Sequence, residues 1–175
     1  MAVDLTLKST AITNREATPR VLNDPGVGEG AVVKCAVGYL ASVTASLSIT
    51  SVIRLVQIPS NALVVDVHFQ SGAQTAGKFD LGIYRTNADG GAVVDADFFV
   101  SAIDCASAVA LASVVGESTV YTVAKQSQRL WEAVGASVDP KSMYDVALTV
   151  VTTDVTTGTG AVHVKVYFVK KPTPV

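Results

Sequence analysis

The chain has 175 residues, enough for one domain of ordinary size with a substantial core. Its 13 basic and 15 acidic side chains give a formal charge of -2. The two signs are interspersed, so no Lys/Arg run is available to neutralise a row of phosphates and direct nucleic-acid binding is not expected. Charged residues make up only 16%, against about 25% in a typical globular domain. A surface so poor in charge favours self-association or docking onto a large partner.

Residues 1–30 read as an extended N-terminal arm. Asn14-Arg15-Glu16 is polar, and Pro19, Pro25, Gly26, Gly28 and Gly30 break regular structure. Residues 31–170 form the body. Its apolar content is mostly Val and Ala with Thr and Ser between, a composition that packs well on pleated surfaces. Ala31 to Val43 and Ser48 to Ile58 are predicted strands, and Pro59-Ser60-Asn61 is a turn. Leu63 to Phe69 alternates, with Leu63, Val65, Val67 and Phe69 expected on one face and Val64, Asp66 and His68 on the other.

Ser71 to Gly77 is a loop. Phe79 to Tyr84 is a strand that puts Phe79, Leu81 and Ile83 together, and Asn87-Ala88-Asp89-Gly90-Gly91 is a tight turn. Between Val93 and Ala110 the spacing of Ala96, Phe99, Val100 and Ile103 suits a short helix, capped by Asp95 or Asp97. Glu117 to Val123 is a short strand. Gln126 to Val134 is the best helix, with Leu130, Ala133 and Val134 on one face and Gly135 as its stop. Met143 to Val151 and Val162 to Phe168 alternate as strands, separated by a Thr/Gly-rich loop from Thr152 to Gly160.

These elements predict a mainly β chain: an antiparallel β-sandwich or jelly roll with one or two short helices and the extended arm. The opening Met1-Ala2-Val3-Asp4 has no basic segment followed by an apolar stretch, and is not read as a signal peptide. The most apolar run, Cys35 to Ile53, is punctuated by Ser, Thr and Gly. No membrane partner is expected, and the product is expected to be made in the host cytoplasm.

Candidate chemistry is sparse. His68 and His163 are the two side chains able to act as neutral bases, each on the more polar face of a strand, and neither belongs to a metal or hydrolase motif. Asp95 and Asp97, with Asp89 and Asp104 nearby, could offer oxygens to a hard cation, but their spacing is not that of an EF-hand. Loop capping is the simpler role. Gly26, Gly28 and Gly30 lack the rest of a nucleotide-binding fingerprint. Cys35 and Cys105 are expected to be free thiols packed as small hydrophobes. Phe69, Phe79, Phe98, Phe99 and Phe168 are read as core, and Trp131 as a plug over the end of the sandwich. No catalytic residue, cofactor ligand or metal ligand is predicted.

Several segments resemble, in order, stretches of small structural proteins of tailed bacteriophages encoded near the major capsid protein. They are Val52-Ile53-Arg54-Leu55-Val56-Gln57-Ile58-Pro59-Ser60-Asn61-Ala62, Gly77-Lys78-Phe79-Asp80-Leu81-Gly82-Ile83-Tyr84, Val94-Asp95-Ala96-Asp97-Phe98-Phe99, Glu117-Ser118-Thr119-Val120-Tyr121, Leu130-Trp131-Glu132 and Tyr144-Asp145-Val146-Ala147. The resemblance covers about residues 48–170. It implies a head-decoration or cement protein, which coats and stabilises the outside of an assembled capsid. Its implied partners are the major capsid protein and further copies of the chain, as a dimer or trimer. A receptor- or glycan-binding module of a virion shares such a body, and an exposed cluster of Tyr39, Tyr84 or Tyr167 beside Asp or Asn would favour it. A minor head-tail fitting protein is the other alternative.

Overall fold

Alternation of apolar and polar residues becomes alternation of buried and exposed ones where the sequence pattern is strictest. In the last strand Val162, Val164 and Val166 are wholly buried, while His163, Lys165 and Tyr167 are half-buried on the opposite side. The structure, a computed structural model, describes residues 12–13, 16–19, 21, 32–43, 46–75, 77–117, 119–152, 155 and 160–170. The expected arm over 1–30 therefore lies mostly outside the described residues.

Eight strands are present in these regions: β1 (Val33–Leu40), β2 (Val52–Pro59), β3 (Ala62–Ser71), β4 (Lys78–Arg85), β5 (Val93–Asp104), β6 (Val109–Ser113), β7 (Met143–Val151) and β8 (Val162–Lys170). They form two four-stranded sheets in the orders β1-β8-β3-β6 and β2-β7-β4-β5, antiparallel throughout. Strand 1 pairs with 8, 2 with 7, 3 with 6 and 4 with 5, as in one long hairpin rolled on itself. Every connection except β4–β5 passes from one sheet to the other. This is the jelly-roll arrangement, which satisfies backbone hydrogen bonds while the two sheets bury a common core.

The core between the sheets contains Phe69, Phe79, Leu81, Ile83, Phe98, Phe99, Val146, Leu148 and Val150. At one end Phe98, Phe99 and Tyr121 form an aromatic cluster with ring centroids 5.0 to 5.5 Å apart. The Tyr121 hydroxyl donates to the Val64 carbonyl at 2.9 Å, so its polar end is satisfied inside the core.

The predicted helix between Val93 and Ala110 is not formed. That region is strand β5 followed by β6. The reason lies in register: Leu81 faces Val100 but Ile83 faces Asp95, so the two-residue step on β4 spans five residues of β5. The surplus bulges outward and lets consecutive Phe98 and Phe99 both enter the core, which breaks the two-residue period. A further shift places Phe79 opposite Ile103. Near it Ala102 takes φ 53°, and the Asp80 carboxylate accepts its N–H at 2.7 Å.

A bulge also corrects the expected facing of β3. Val64 pairs with Phe168 and Asp66 with the next residue back, Tyr167, which leaves Val65 as the extra residue. Val64 is consequently buried and Val65 exposed, the reverse of simple alternation, while Val67 and Phe69 point inward as expected. Glu117 to Val123 is not a strand; its described residues form turns that bring Tyr121 to the core. The predicted helix from Gln126 shrinks to a 3₁₀ turn at Lys125–Ser127 and α1 (Leu130–Ala133), and the chain leaves α1 through Gly135 at φ 83°. Half-buried Trp131 packs against the core beside Leu130, as expected of a plug.

Candidate interaction surface

Register across the first sheet gathers side chains that are far apart in the chain. Tyr39 lies opposite His163, and His163 opposite Gln70. The next outward row is Val37, Lys165 and His68, and the third is Cys35, Tyr167 and Asp66. Both histidines singled out in the sequence thus share the solvent face of one sheet, two rungs apart along it. Since Val164, Val166 and Phe168 of β8 point inward, the polar members of these rows have no choice but to face outward.

Between the second and third rows an ordered network spans β3 and its neighbours. His68 Nε2 donates to Asp66 Oδ2 at 2.7 Å, while the Ser113 hydroxyl and the Val67 N–H donate to Asp66 Oδ1 at 2.6 and 2.8 Å. Partial burial pushes the Asp66 carboxyl up, but the hydrogen bonds from Ser113, His68 and Val67 outweigh it and hold the group below its ordinary value. The His68 ring also meets Tyr167 edge-on, with centroids 5.3 Å apart. The Ser113 hydroxyl contacts the carboxylate rather than the imidazole, so the arrangement is a structural clamp on the bulge and not a nucleophile–base relay. Sequence spacing hinted at the Asp66–His68 pair, two residues apart on a strand; Ser113 had no such signal.

The first row carries the most exposed ring. Tyr39 is 65% exposed and its ring meets His163 edge-on at 6.4 Å. A groove of about 600 Å³ opens there, lined by Tyr39, Gln70, His163 and small residues of the adjoining loops and β6.

The second sheet is more enclosed. The Arg54 guanidinium pairs with Asp145 and donates at 2.7 Å to the carbonyls of Arg85 and Gly91. It lies 5.5 Å from the Tyr84 ring centre, and the Tyr84 hydroxyl bonds with Thr149. Asp145, Ala147 and Thr149 of β7 are buried beneath this layer. A groove of about 630 Å³ runs beside it, lined in part by Val56, Thr86, Asp89 and Met143.

Asp95 and Asp97 lie close enough to interact: desolvation, together with hydrogen bonding and repulsion from Asp97, pushes the Asp95 carboxyl above its ordinary value. Asp89 is instead tied to Thr86, whose hydroxyl donates to it at 3.0 Å, and Asp104 accepts the Ala106 N–H at 2.9 Å. Local capping contacts account for Asp89 and Asp104. Among the described residues no group of three or more His, Cys, Asp or Glu is placed to hold a metal ion.

Both cysteines are free, but only Cys105 is buried; Cys35 is exposed, contrary to expectation. Its position opposite Tyr167 on the solvent face explains this, because the small residues around it in sequence alternate faces on an edge strand. Burial pushes the Cys105 thiol up to about 11. Because the folded value lies above the unfolded one near 9, its contribution to stability is complete below pH 9 and is lost as pH rises toward 11. Denaturation across this range is expected to show a loss of about 2–3 kcal/mol. The Cys105→Ala variant is expected to have a shallower pH dependence. An unchanged slope would show that the thiol is not the responsible group.

No family model matches the chain, and no curated protein is similar to it. Solved structures are. A chain of the cyanophage Pam1 capsid asymmetric unit superimposes with a TM-score of 0.53 at 20% identity, over 88% of this chain and 96% of that one. A chain of the capsid of Ralstonia phage GP4 gives a TM-score of 0.58 at 14% identity, over 84% and 90%. At these identities the likeness is one of fold: the chain shares its β-sandwich architecture with chains of two phage capsids.

Proposed function

We propose that the protein is a non-enzymatic virion component that binds the outer surface of an assembled phage capsid and stabilises it. The observation that carries this reading is the fold shared with chains of two capsids over most of the length of each. Because the alignments cover most of both members of each pair, those capsid chains are close to this one in length. The whole β-sandwich, rather than a fragment of a larger shell subunit, is therefore the shared unit.

The physical character of the chain supports the same reading. Its described body is a closed sandwich with a well-filled core, and its surface combines low charge with exposed Val33, Val37, Val65 and Val93. Such a surface is suited to docking on a shell made of the major capsid protein, and to association into dimers or trimers. Many copies on one particle make modest affinity per copy sufficient, since neighbouring contacts add to shell contacts. Residues 1–30 would then serve as an arm that reaches an adjacent subunit by strand addition.

Copy number in purified, DNA-filled particles tests the proposal, measured by mass spectrometry against the major shell protein. A ratio near one, or another value set by local symmetry axes, is the expected result. A handful of copies per particle would favour a head-tail fitting instead, and absence from particles would overturn a virion role.

A further inference from the structure

We infer that the groove around Tyr39, Gln70 and His163 is a binding site for a neutral saccharide. This goes beyond capsid decoration and does not depend on it.

The argument begins with what lines the groove. None of its lining residues is charged: beside the three recognition side chains stand Ser71, Gly72, Ala108, Val109, Ala110 and Ala161. A phosphate, a basic peptide or an acidic polymer would find no countercharge there. The ligand class that matches is one presenting apolar C–H faces and uncharged hydroxyl edges together.

Each recognition group suits that chemistry. The Tyr39 ring, 65% exposed, offers a flat apolar face to a sugar ring. The Gln70 carboxamide offers both donor and acceptor, and the two ring nitrogens of His163 add further hydrogen-bonding atoms. Strand register sets these groups in one row, Tyr39 to His163 to Gln70, on three adjacent strands. The Tyr39 and His163 rings meet edge-on with planes at 68°, and Tyr39 keeps 65% of its surface exposed.

The floor is held in advance of any ligand. Gly72 N–H donates to the Ala161 carbonyl at 2.8 Å, and the Ser71 hydroxyl donates to the Gly72 carbonyl at 2.6 Å. Wholly buried Gln74 donates to the Gly160 carbonyl at 2.8 Å. A Cβ on Gly72 would lie 2.9 Å from the Gly160 Cα, so the two loops pass as close as glycine permits. The small side chains of Ala108 and Ala161 then leave the volume open. A preformed floor of this kind lowers the ordering cost of binding.

Chemical-shift mapping on the isotope-labelled full chain provides the test, with maltotriose, triacetylchitotriose and mannotriose as neutral probes. Binding of at least one probe is expected with a dissociation constant on the order of 1 mM, with shifts confined to residues 39, 70–72, 108–110 and 161–163. Tyr39→Ala is expected to weaken it at least tenfold and Tyr39→Phe to retain most of it. Because Tyr39 is exposed, the Ala variant should keep the folded spectrum. Absence of shifts with all three probes at about 20 mM would overturn the inference. So would shifts that persist unchanged in Tyr39→Ala, or a response of these residues to a proline-rich peptide and to none of the sugars. Particle association of Tyr39→Ala is measured separately. Retention with loss of sugar binding supports a dedicated saccharide site, whereas loss of particle association without any sugar response makes the groove a shell contact.

Discussion

Replacing Gly82 by alanine is expected to destabilise the protein by about 3 kcal/mol and to lower its melting temperature by about 10 °C. Gly82 sits in β4 opposite Ala147 of β7, and β5 runs directly over it. A Cβ there would lie 2.1 Å from the Asp95 carbonyl oxygen and 2.3 Å from the Ala96 carbonyl carbon. These are backbone atoms, so no side chain can rotate away, and β5 itself has to lift. That movement would draw Phe98 and Phe99 out of their positions. Gly90→Ala makes the contrast: nothing stands within 4 Å of that site, and only the left-handed φ of 87° is strained, at a cost of about 1 kcal/mol. Paired thermal melts would decide the matter. Equal, small losses in the two variants would mean that the Asp95–Ala96 backbone of β5 does not pack on Gly82 where the structure places it.

The second large effect is expected at Phe98. Truncation to alanine removes a ring that is wholly buried and touches both Phe99 and Tyr121. Phe→Ala in a packed core costs about 3–5 kcal/mol, the lost transfer energy adding to that of the cavity. Against a total stability of about 5–15 kcal/mol for a domain, that is a large share. The loss should also be local in character. Tyr121 anchors a stretch rich in turns, so amide exchange is expected to accelerate most between residues 119 and 134. Tyr121→Phe keeps the ring and removes only the hydrogen bond to Val64, for which about 1 kcal/mol is expected. Uniform acceleration across both sheets in Phe98→Ala would argue that the cluster has no special role in holding that segment.

These two sites also mark what was and was not legible beforehand. β8 follows strict alternation, β4 and β7 a looser one, and the strands lie where the pattern puts them; β7 matches from Met143 to Val151. The turn at Asn87–Gly91 was equally plain, since Gly90 and Gly91 both take positive φ. By contrast, an isolated glycine in a strand announces a close approach without naming its partner, and nothing near Gly82 in sequence pointed to Asp95. The spacing from Ala96 to Ile103 imitates a helix because bulges insert residues that pair with nothing, and periodicity has no means of recognising an unpaired residue.

The groove divides in the same way. His68 and His163 could each be placed on the more polar side of a strand. That Tyr39, His163 and Gln70 form one row, while Asp66 and His68 share another network with Ser113, depends on strand order and register. The sequence by itself determined that the chain would form strands, which of their faces were apolar, and that its surface would carry little charge. Those properties come from neighbouring residues and from composition. Only the tertiary structure decided which strands lie side by side, where bulges shift the facing, and hence which distant side chains meet. Pairing is a choice among long-range partners whose hydrogen bonds are chemically alike, and it is settled by how the two sheets fill the core between them.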